Sequence, residues 1–123
     1  MKVIYIDDNK NNLALMGSVV RAMKPPVEFL GTDSVDSFLS YADDSDSLYI
    51  IDFTLDGILG DVLYEKLLDI HKCARVIITS AGYISDLKDI FLRFDHKPIA
   101  ITDRFGAIDI IRKELVESDV QHK

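Results

Sequence analysis

Short runs of apolar residues recur along the chain, and longer stretches with a helical spacing of apolar positions separate them. The runs are VIYI at 3–6, VEFL at 27–30, LYII at 48–51, RVIIT at 75–79 and IAIT at 99–102. Several of them lack polar alternation, which is typical of parallel strands that are covered on both faces. The pattern therefore predicts five β-strands, most of them buried.

Between these runs, apolar residues recur every three or four positions, as on the buried face of an amphipathic helix. The positions are Leu13, Met16, Val20 and Met23; Val35, Phe38, Leu39 and Ala42; Val62, Leu63, Leu67 and Ile70; Leu87, Ile90, Phe91 and Phe94; and Ile108, Ile111 and Leu115. Pro25-Pro26 ends the first helix, and Ser34 is a candidate N-cap of the second. Five strand–helix alternations predict a single α/β domain over residues 1–123, with parallel strands joined by right-handed helical crossovers.

The composition is that of a folded domain with an excess of acidic residues. Hydrophobic residues make up 48% and charged residues 28% of the 123 residues, which is typical of a globular protein. The net charge of −7 opposes binding to nucleic acid phosphates. Cys73 is the single cysteine and suits a reduced chain, and no apolar stretch reaches the roughly 20 residues of a membrane span. We expect a cytoplasmic protein that binds neither nucleic acid nor membrane directly.

Three aspartates follow two of the predicted strands. Asp7 and Asp8 come directly after the first run, Asp52 ends the third, and the hydroxyls of Thr79 and Ser80 end the fourth. Because the carboxyl ends of parallel strands meet at one edge of a sheet, we expect these side chains to lie together. Clustered carboxylates need a compensating cation, and hard oxygen ligands favour Mg²⁺. The sequence therefore predicts a magnesium site, although either acidic feature alone is also explained by a helix cap or a turn.

The same segments resemble the receiver domain of response regulators in two-component signalling. The matching pieces are VIYIDDN at 3–9, LYIIDFTLDGILG at 48–60 and VIITSAG at 76–82, and the resemblance covers the whole chain. It implies the flavodoxin-like receiver fold, a doubly wound (βα)5 domain with a five-stranded parallel sheet. It also implies a phosphoacceptor signalling domain rather than an enzyme, with a histidine kinase or phosphotransfer protein as partner and a homodimer as a further assembly.

The resemblance implies a role for each acidic residue. Asp52 would accept the phosphoryl group. Asp8, Asp52 and the carbonyl of Thr54 would bind Mg²⁺, and Asp7 would hold a metal-bound water. Catalysis by such a site comes mostly from neutralising the phosphoryl oxygens and holding the attack in line.

Two positions of the acceptor region leave alternatives open. Ser80, 28 positions after Asp52, would be the switch hydroxyl that follows the phosphoryl group. Thr79 is the alternative, because successive strand residues face opposite sides of the sheet and only one of the two can face the site. Asp56 also stands where the family often has proline, so the turn after Asp52 gains a charge.

Receiver domains also carry a lysine, usually followed by proline, at the end of the fifth strand. Lys97-Pro98 resembles that pair, but aligning it makes LRFDH the strand and breaks the fourth helix. The alternative makes IAIT the strand and places Asp103-Arg104-Phe105 at the lysine position. Helical periodicity favours this second alignment, which puts Lys97 roughly 16 Å from the site at about 3.3 Å per strand residue.

On the favoured alignment the usual lysine is missing. Asp103 is then either a fourth carboxylate beside the other three or the N-cap of the last helix, and Arg104 is a candidate substitute for the cation. Slower phosphorylation with weaker switching is the expected consequence. The alternative function is a degenerate receiver that acts as a protein-interaction or dimerisation module without phosphorylation.

Overall fold

Strands and helices alternate along the computed structural model, which describes residues 1–42, 47–55, 57–82 and 84–121. The strands are β1 (Lys2–Ile6), β2 (Glu28–Thr32), β3 (Ser47–Asp52), β4 (Thr54–Leu55), β5 (Ile58–Leu59), β6 (Arg75–Thr79) and β7 (Ala100–Thr102). The helices are α1 (Lys10–Arg21), α2 (Val35–Ser40), α3 (Gly60–Ile70), α4 (Ile84–Phe91) and α5 (Arg104–Gln121). Each of the five predicted apolar runs contributes a strand to the main sheet.

The main sheet is parallel and has the strand order β2-β1-β3-β6-β7. Buried side chains of α1 and α5 form a core on one face, and those of α2, α3 and α4 form a second core on the other. The predicted doubly wound α/β fold is therefore confirmed. The chain leaves β1 toward one side of the sheet and β3 toward the other, so the switch point for a ligand lies where these two strands end.

The position of β7 shows which segment of the sequence forms the last strand. The strand is Ala100–Thr102 and lies within IAIT, as the favoured alignment predicts. Helix α4 ends at Phe91, one turn earlier than its apolar period suggested. Phe94 lies beyond that end but remains in the same core, with its ring centroid 4.9 Å from that of Tyr64. Its burial, rather than its place on the helix, produced the periodic signal.

A short antiparallel hairpin of β4 and β5 follows Asp52, where the sequence predicted only a turn. Gly57 adopts φ +83° there, a conformation that glycine accepts without strain. Asp56, the residue in place of the family's proline, lies outside the described residues. The Asp-Gly pair in the sequence is a typical hairpin signal that could have predicted this ribbon. Within the described ranges, no helix is both long and apolar enough to cross a membrane.

Candidate metal centre at the carboxyl edge of the sheet

Asp7, Asp8 and Asp52 meet at the carboxyl ends of β1 and β3. These strands are neighbours with Ile6 opposite Ile51, so Asp7 and Asp52, the next residues, lie at the same level of the sheet. One carboxylate oxygen from each aspartate lies within 4.8 Å of the other two. Asp7 is 1% and Asp52 9% exposed, and Asp8 is the most accessible of the three. The structure therefore brings together the three carboxylates that the sequence predicts as a cluster.

The carboxyl group of Asp52 is placed where its negative charge is disfavoured. Burial, together with the negative charges of Asp7 and Asp8, raises its pKa to about 7. The positive charge of Arg104 and the hydroxyl of Thr79 act in the opposite direction. A divalent cation between the three carboxylates would remove this repulsion, and an all-oxygen donor set of this charge suits Mg²⁺. The residues present therefore fit the ion that the sequence predicts.

Three donors orient the carboxylate of Asp7. The hydroxyl of Tyr5 donates to Oδ2, the side-chain amide of Asn12 donates to the same oxygen at 3.1 Å, and the backbone N–H of Asn9 donates to Oδ1 at 2.9 Å. Burial, this hydrogen bond and the nearby carboxylates raise the pKa of the Tyr5 phenol, which therefore stays protonated. Sequence reasoning missed Tyr5 and Asn12. A tyrosine two residues before an aspartate, on the same face of a buried strand, is the signal that could have found the first of them.

Asn9, rather than either aspartate, caps α1. Its side-chain oxygen accepts from the backbone N–H groups of Asn11 and Asn12 at 2.9 and 3.1 Å. The alternative role for Asp7-Asp8, the N-cap of the first helix, therefore belongs to Asn9. The acidic pair is left facing Asp52.

The two candidate switch hydroxyls both reach this edge. Thr79 is fully buried and lies directly opposite Asp52 in the β3–β6 register. Its hydroxyl makes no hydrogen bond of standard geometry within the described residues, although it lies close enough to lower the pKa of Asp52 slightly. Ser80 is 7% exposed, and its hydroxyl accepts from the N–H of Gly82 at 3.0 Å. The choice of Ser80 as the switch residue stays a prediction.

The loop after Asp52 is held by its backbone. The N–H of Phe53 donates to the carbonyl of Thr79 at 2.9 Å, and the carbonyl of Phe53 accepts from the N–H of Gly60 at 3.0 Å. A Cβ on Gly60 would lie 2.8 Å from Cα of Phe53, so only glycine allows this close approach. Thr54 follows as the first, exposed residue of β4. Its carbonyl as a metal ligand stays a prediction.

Comparison with known proteins rests on structure. Neither a family model nor a curated protein matches the sequence. A receiver domain protein from Methanospirillum hungatei JF-1 has a TM-score of 0.74 and 15% identity, covering 98% of this chain and 97% of its own. The phosphorylated cyanobacterial phytochrome response regulator RcpA has a TM-score of 0.68 and 18% identity, covering 91% and 89%. The Mn²⁺-bound form of response regulator Rcp1 has a TM-score of 0.67 and 11% identity, also covering 91% and 89%.

The chain has the receiver-domain fold of response regulators. Its strand order, β2-β1-β3-β6-β7, agrees with that fold. At these identities the likeness concerns the fold, and the roles of individual residues depend on the geometry of this chain.

Lys97 lies at the wrong end of β7 for the aspartate site of this receiver fold. Its ammonium donates to the backbone carbonyl of Phe94 and, at 3.0 Å, to that of Leu92. Two residues later, the N–H of Ile99 donates to the carbonyl of Val76, near the beginning of β6, at 2.8 Å. The aspartates follow the opposite, carboxyl ends of the strands. Lys97 therefore contributes to the turn before β7.

Asp103 caps the last helix of the receiver fold. Its carboxylate accepts from the N–H of Gly106 at 2.7 Å, and its carbonyl accepts from the N–H of Ala107 at 3.0 Å. It is exposed and does not belong to the group of three aspartates. Of the two roles that the sequence left open for Asp103, the structure thus supports the N-cap rather than a fourth carboxylate in the cluster.

Proposed function

We propose that residues 1–123 form a receiver domain of two-component signalling that accepts a phosphoryl group on Asp52, with Mg²⁺, from a histidine kinase or phosphotransfer protein. The convergence of Asp7, Asp8 and Asp52 at the switch point of the sheet carries this proposal. The fold supports it, since solved structures with that fold include a phosphorylated response regulator and a Mn²⁺-bound one. Phosphorylation then changes how the domain binds its partners.

Asp8, Asp52 and the carbonyl of Thr54 are the proposed Mg²⁺ ligands, and Asp7 holds a water of the ion. The three donors to Asp7 keep its carboxylate oriented toward that position. The bound ion supplies positive charge beside the phosphoryl oxygens and favours the ionised, nucleophilic form of Asp52. This explains why a receiver can keep a carboxyl group whose pKa burial and neighbouring charge raise to about 7.

The proposed reaction is an in-line displacement at phosphorus. A carboxylate oxygen of Asp52 forms the new P–O bond while the P–N bond of a donor phosphohistidine breaks. The electron pair of that bond stays on the imidazole nitrogen, which takes a proton from solvent. In the unphosphorylated chain the hydroxyl of Ser80 accepts from the N–H of Gly82, and its own proton is available for a phosphoryl oxygen.

Labelling with a small phosphodonor tests the proposal directly. We expect acetyl phosphate and Mg²⁺ to add one phosphoryl group to the intact chain by mass spectrometry, and chelation of the metal to prevent it. Asp52→Asn should abolish the labelling. Asp89→Asn, a change at an exposed position of α4, is the matched control and should label normally. Labelling that persists in Asp52→Asn, or that needs no divalent ion, would contradict the proposed site.

A protein-interaction module without phosphorylation is the second candidate. The observation that favours it is the position of Lys97, whose ammonium is bound to backbone carbonyls at the far end of β7. This candidate predicts that Asp52 takes no label under any donor condition. It also predicts that the oligomeric state, measured by light scattering, is the same in the wild type with the phosphodonor and in Asp52→Asn.

A further inference from the structure

We propose that the guanidinium of Arg104 binds the phosphoryl group on Asp52, in the role that a lysine at the end of the fifth strand has in receiver domains. The inference rests on the proposed function. Arg104 is the first residue of α5 and comes from a helix start instead of a strand end. It would make the chain a receiver that uses a planar, permanently charged donor at its phosphoryl site.

The strand register places Arg104 at the same edge as the acceptor. Asp52 lies opposite Thr79, and Thr79 lies opposite Thr102 on the next strand. Two strand spacings correspond to about 10 Å between the Cα atoms of Asp52 and Thr102. Arg104 follows Thr102 by two residues, beyond the carboxyl end of β7. Arginine has a long side chain that can bridge much of this span.

The first turn of α5 is held firmly against β7. The carboxylate of Asp103 accepts from the N–H of Gly106 at 2.7 Å. A Cβ on Gly106 would lie 2.0 Å from Oγ1 of Thr102, so the helix backbone rests directly on the last residue of the strand. The position of Arg104 is therefore set by the cap on one side and by this contact on the other.

Arg104 and Ser80 line the same cleft. The cleft has a volume of about 240 Å³, and its other lining residues are Ala81, Asp103 and Phe105. Ser80 is the hydroxyl proposed to follow the phosphoryl group. Within the described residues, Arg104 forms no direct ion pair, so its N–H donors are not committed to a carboxylate. The two proposed phosphoryl contacts thus face one space.

The electrostatics of α5 agree with this role. The helix dipole disfavours a cation at a helix N-terminus, and the acidic residue at the start of α5 is the N-cap Asp103, whose carboxylate accepts from the N–H of Gly106. The aspartate cluster supplies further negative charge at this edge of the sheet. The positive charge of Arg104 acts on the acceptor, since it opposes the rise in the pKa of Asp52 that burial and the other aspartates cause.

Two ligands separate a phosphoryl contact from a structural role. Mg²⁺ tests the unphosphorylated site, and beryllofluoride with saturating Mg²⁺ imitates the phosphoryl group on Asp52. The chain has no tryptophan, so binding is followed by NMR chemical shifts. The variants are Arg104→Gln and Arg104→Lys. The matched control is Arg112→Gln, an exposed position two turns along the same helix.

We expect Arg104→Gln to weaken beryllofluoride binding about 10- to 100-fold, the usual effect of losing a charge-assisted hydrogen bond. The same variant should bind Mg²⁺ about 2- to 5-fold more tightly, because a positive charge beside the ion is removed. Arg104→Lys should recover part of the beryllofluoride affinity, since it restores charge without the planar fork. Arg112→Gln should match the wild type for both ligands.

Opposite changes for the two ligands are not expected from a loss of folding. Beryllofluoride affinity within twofold of the wild type in Arg104→Gln overturns the inference while the proposed function stands. Equal losses in Arg104→Gln and Arg112→Gln also overturn it, because any cation on α5 would then serve. If the wild-type chain binds Mg²⁺ but not beryllofluoride, or binds neither ligand, the proposed function is overturned and this inference with it.

Discussion

The two sides of the carboxyl edge of the sheet differ in charge and in burial. At the ends of β1 and β3, buried carboxylates are oriented by strand register and by donors such as Tyr5. At the end of β7, the exposed Asp103 caps a helix, and Arg104 carries a positive charge that lowers the pKa of Asp52. The first side brings together the three aspartates that the sequence predicts as a cluster. On the second side, the positive charge that acts on Asp52 belongs to Arg104, whereas Lys97 binds backbone carbonyls elsewhere.

The difference shows which part of a charged site is tied to strand geometry. The side chains of Asp7 and Asp52 can meet in few ways, because one follows and the other ends a buried strand whose register is fixed by packing on two faces. A cation has more freedom, since a long side chain reaches the same place from a strand end or from the following helix. We therefore expect substitutions on the first side to affect metal binding far more than substitutions on the second.

Asp8→Asn and Asp103→Asn compare the two sides with the same chemical change. Asp8→Asn removes a proposed direct ligand, and we expect the dissociation constant for Mg²⁺ to rise by more than about 100-fold. Asp103→Asn should change it less than about threefold, and asparagine remains a good N-cap for α5. Titration calorimetry measures both. Similar losses in the two variants would mean that Asp103 belongs to the metal site after all.

The sequence was sufficient for the fold and for the acidic cluster because both depend on short-range rules. Buried parallel strands produce continuous apolar runs, and residues directly after them have to meet at one edge. The same reasoning identified Ser34 as the N-cap of α2 and IAIT as the source of the last strand. For the choice of the last strand, helical periodicity is better evidence than the match of the Lys97-Pro98 dipeptide to the family's lysine and proline.

Features that depend on tertiary contacts could not be predicted in the same way. The sequence identifies Tyr5 only as a residue of the first strand. The hydrogen bond from its hydroxyl to Asp7 becomes visible only in the folded structure. Phe94 was assigned to α4 because burial imitates helical spacing, although the helix ends at Phe91. The open role of Asp103 needed the hydrogen bond from Gly106.

Asp52→Asn sharpens the comparison through pH, because the first side carries a carboxyl group whose pKa is strongly raised. The pKa of Asp52 is about 7 in the folded chain, whereas an unfolded chain has about 4. The folded state therefore binds more protons between these values, and the wild-type free energy of unfolding falls as pH rises through that range. Each pKa unit corresponds to about 1.4 kcal/mol, so without metal Asp52→Asn should be more stable by roughly 4 kcal/mol at pH 8.

The gain should vanish near pH 4, where the aspartate is protonated in the folded chain and asparagine offers no advantage. Urea denaturation across this pH range measures it, with Asp89→Asn as the exposed control. Added Mg²⁺ should stabilise the wild type and leave Asp52→Asn nearly unchanged. A gain that is independent of pH would show that the substitution acts through packing and not through the charge of Asp52.

Gly106→Ala tests the second side, where backbone contact rather than charge holds the geometry. Alanine is the better helix former by about 1 kcal/mol, but its Cβ would lie 2.0 Å from Oγ1 of Thr102. We expect the crowding to outweigh the helix propensity and the free energy of unfolding to fall by about 1 kcal/mol.

In a Thr102→Ala background that hydroxyl is gone, so the same substitution should cost less or even stabilise the chain. A double-mutant cycle by urea denaturation measures the difference. An equal cost in both backgrounds would mean that the first turn of α5 does not rest on the Thr102 side chain, and the position of Arg104 would then depend on the Asp103 cap alone.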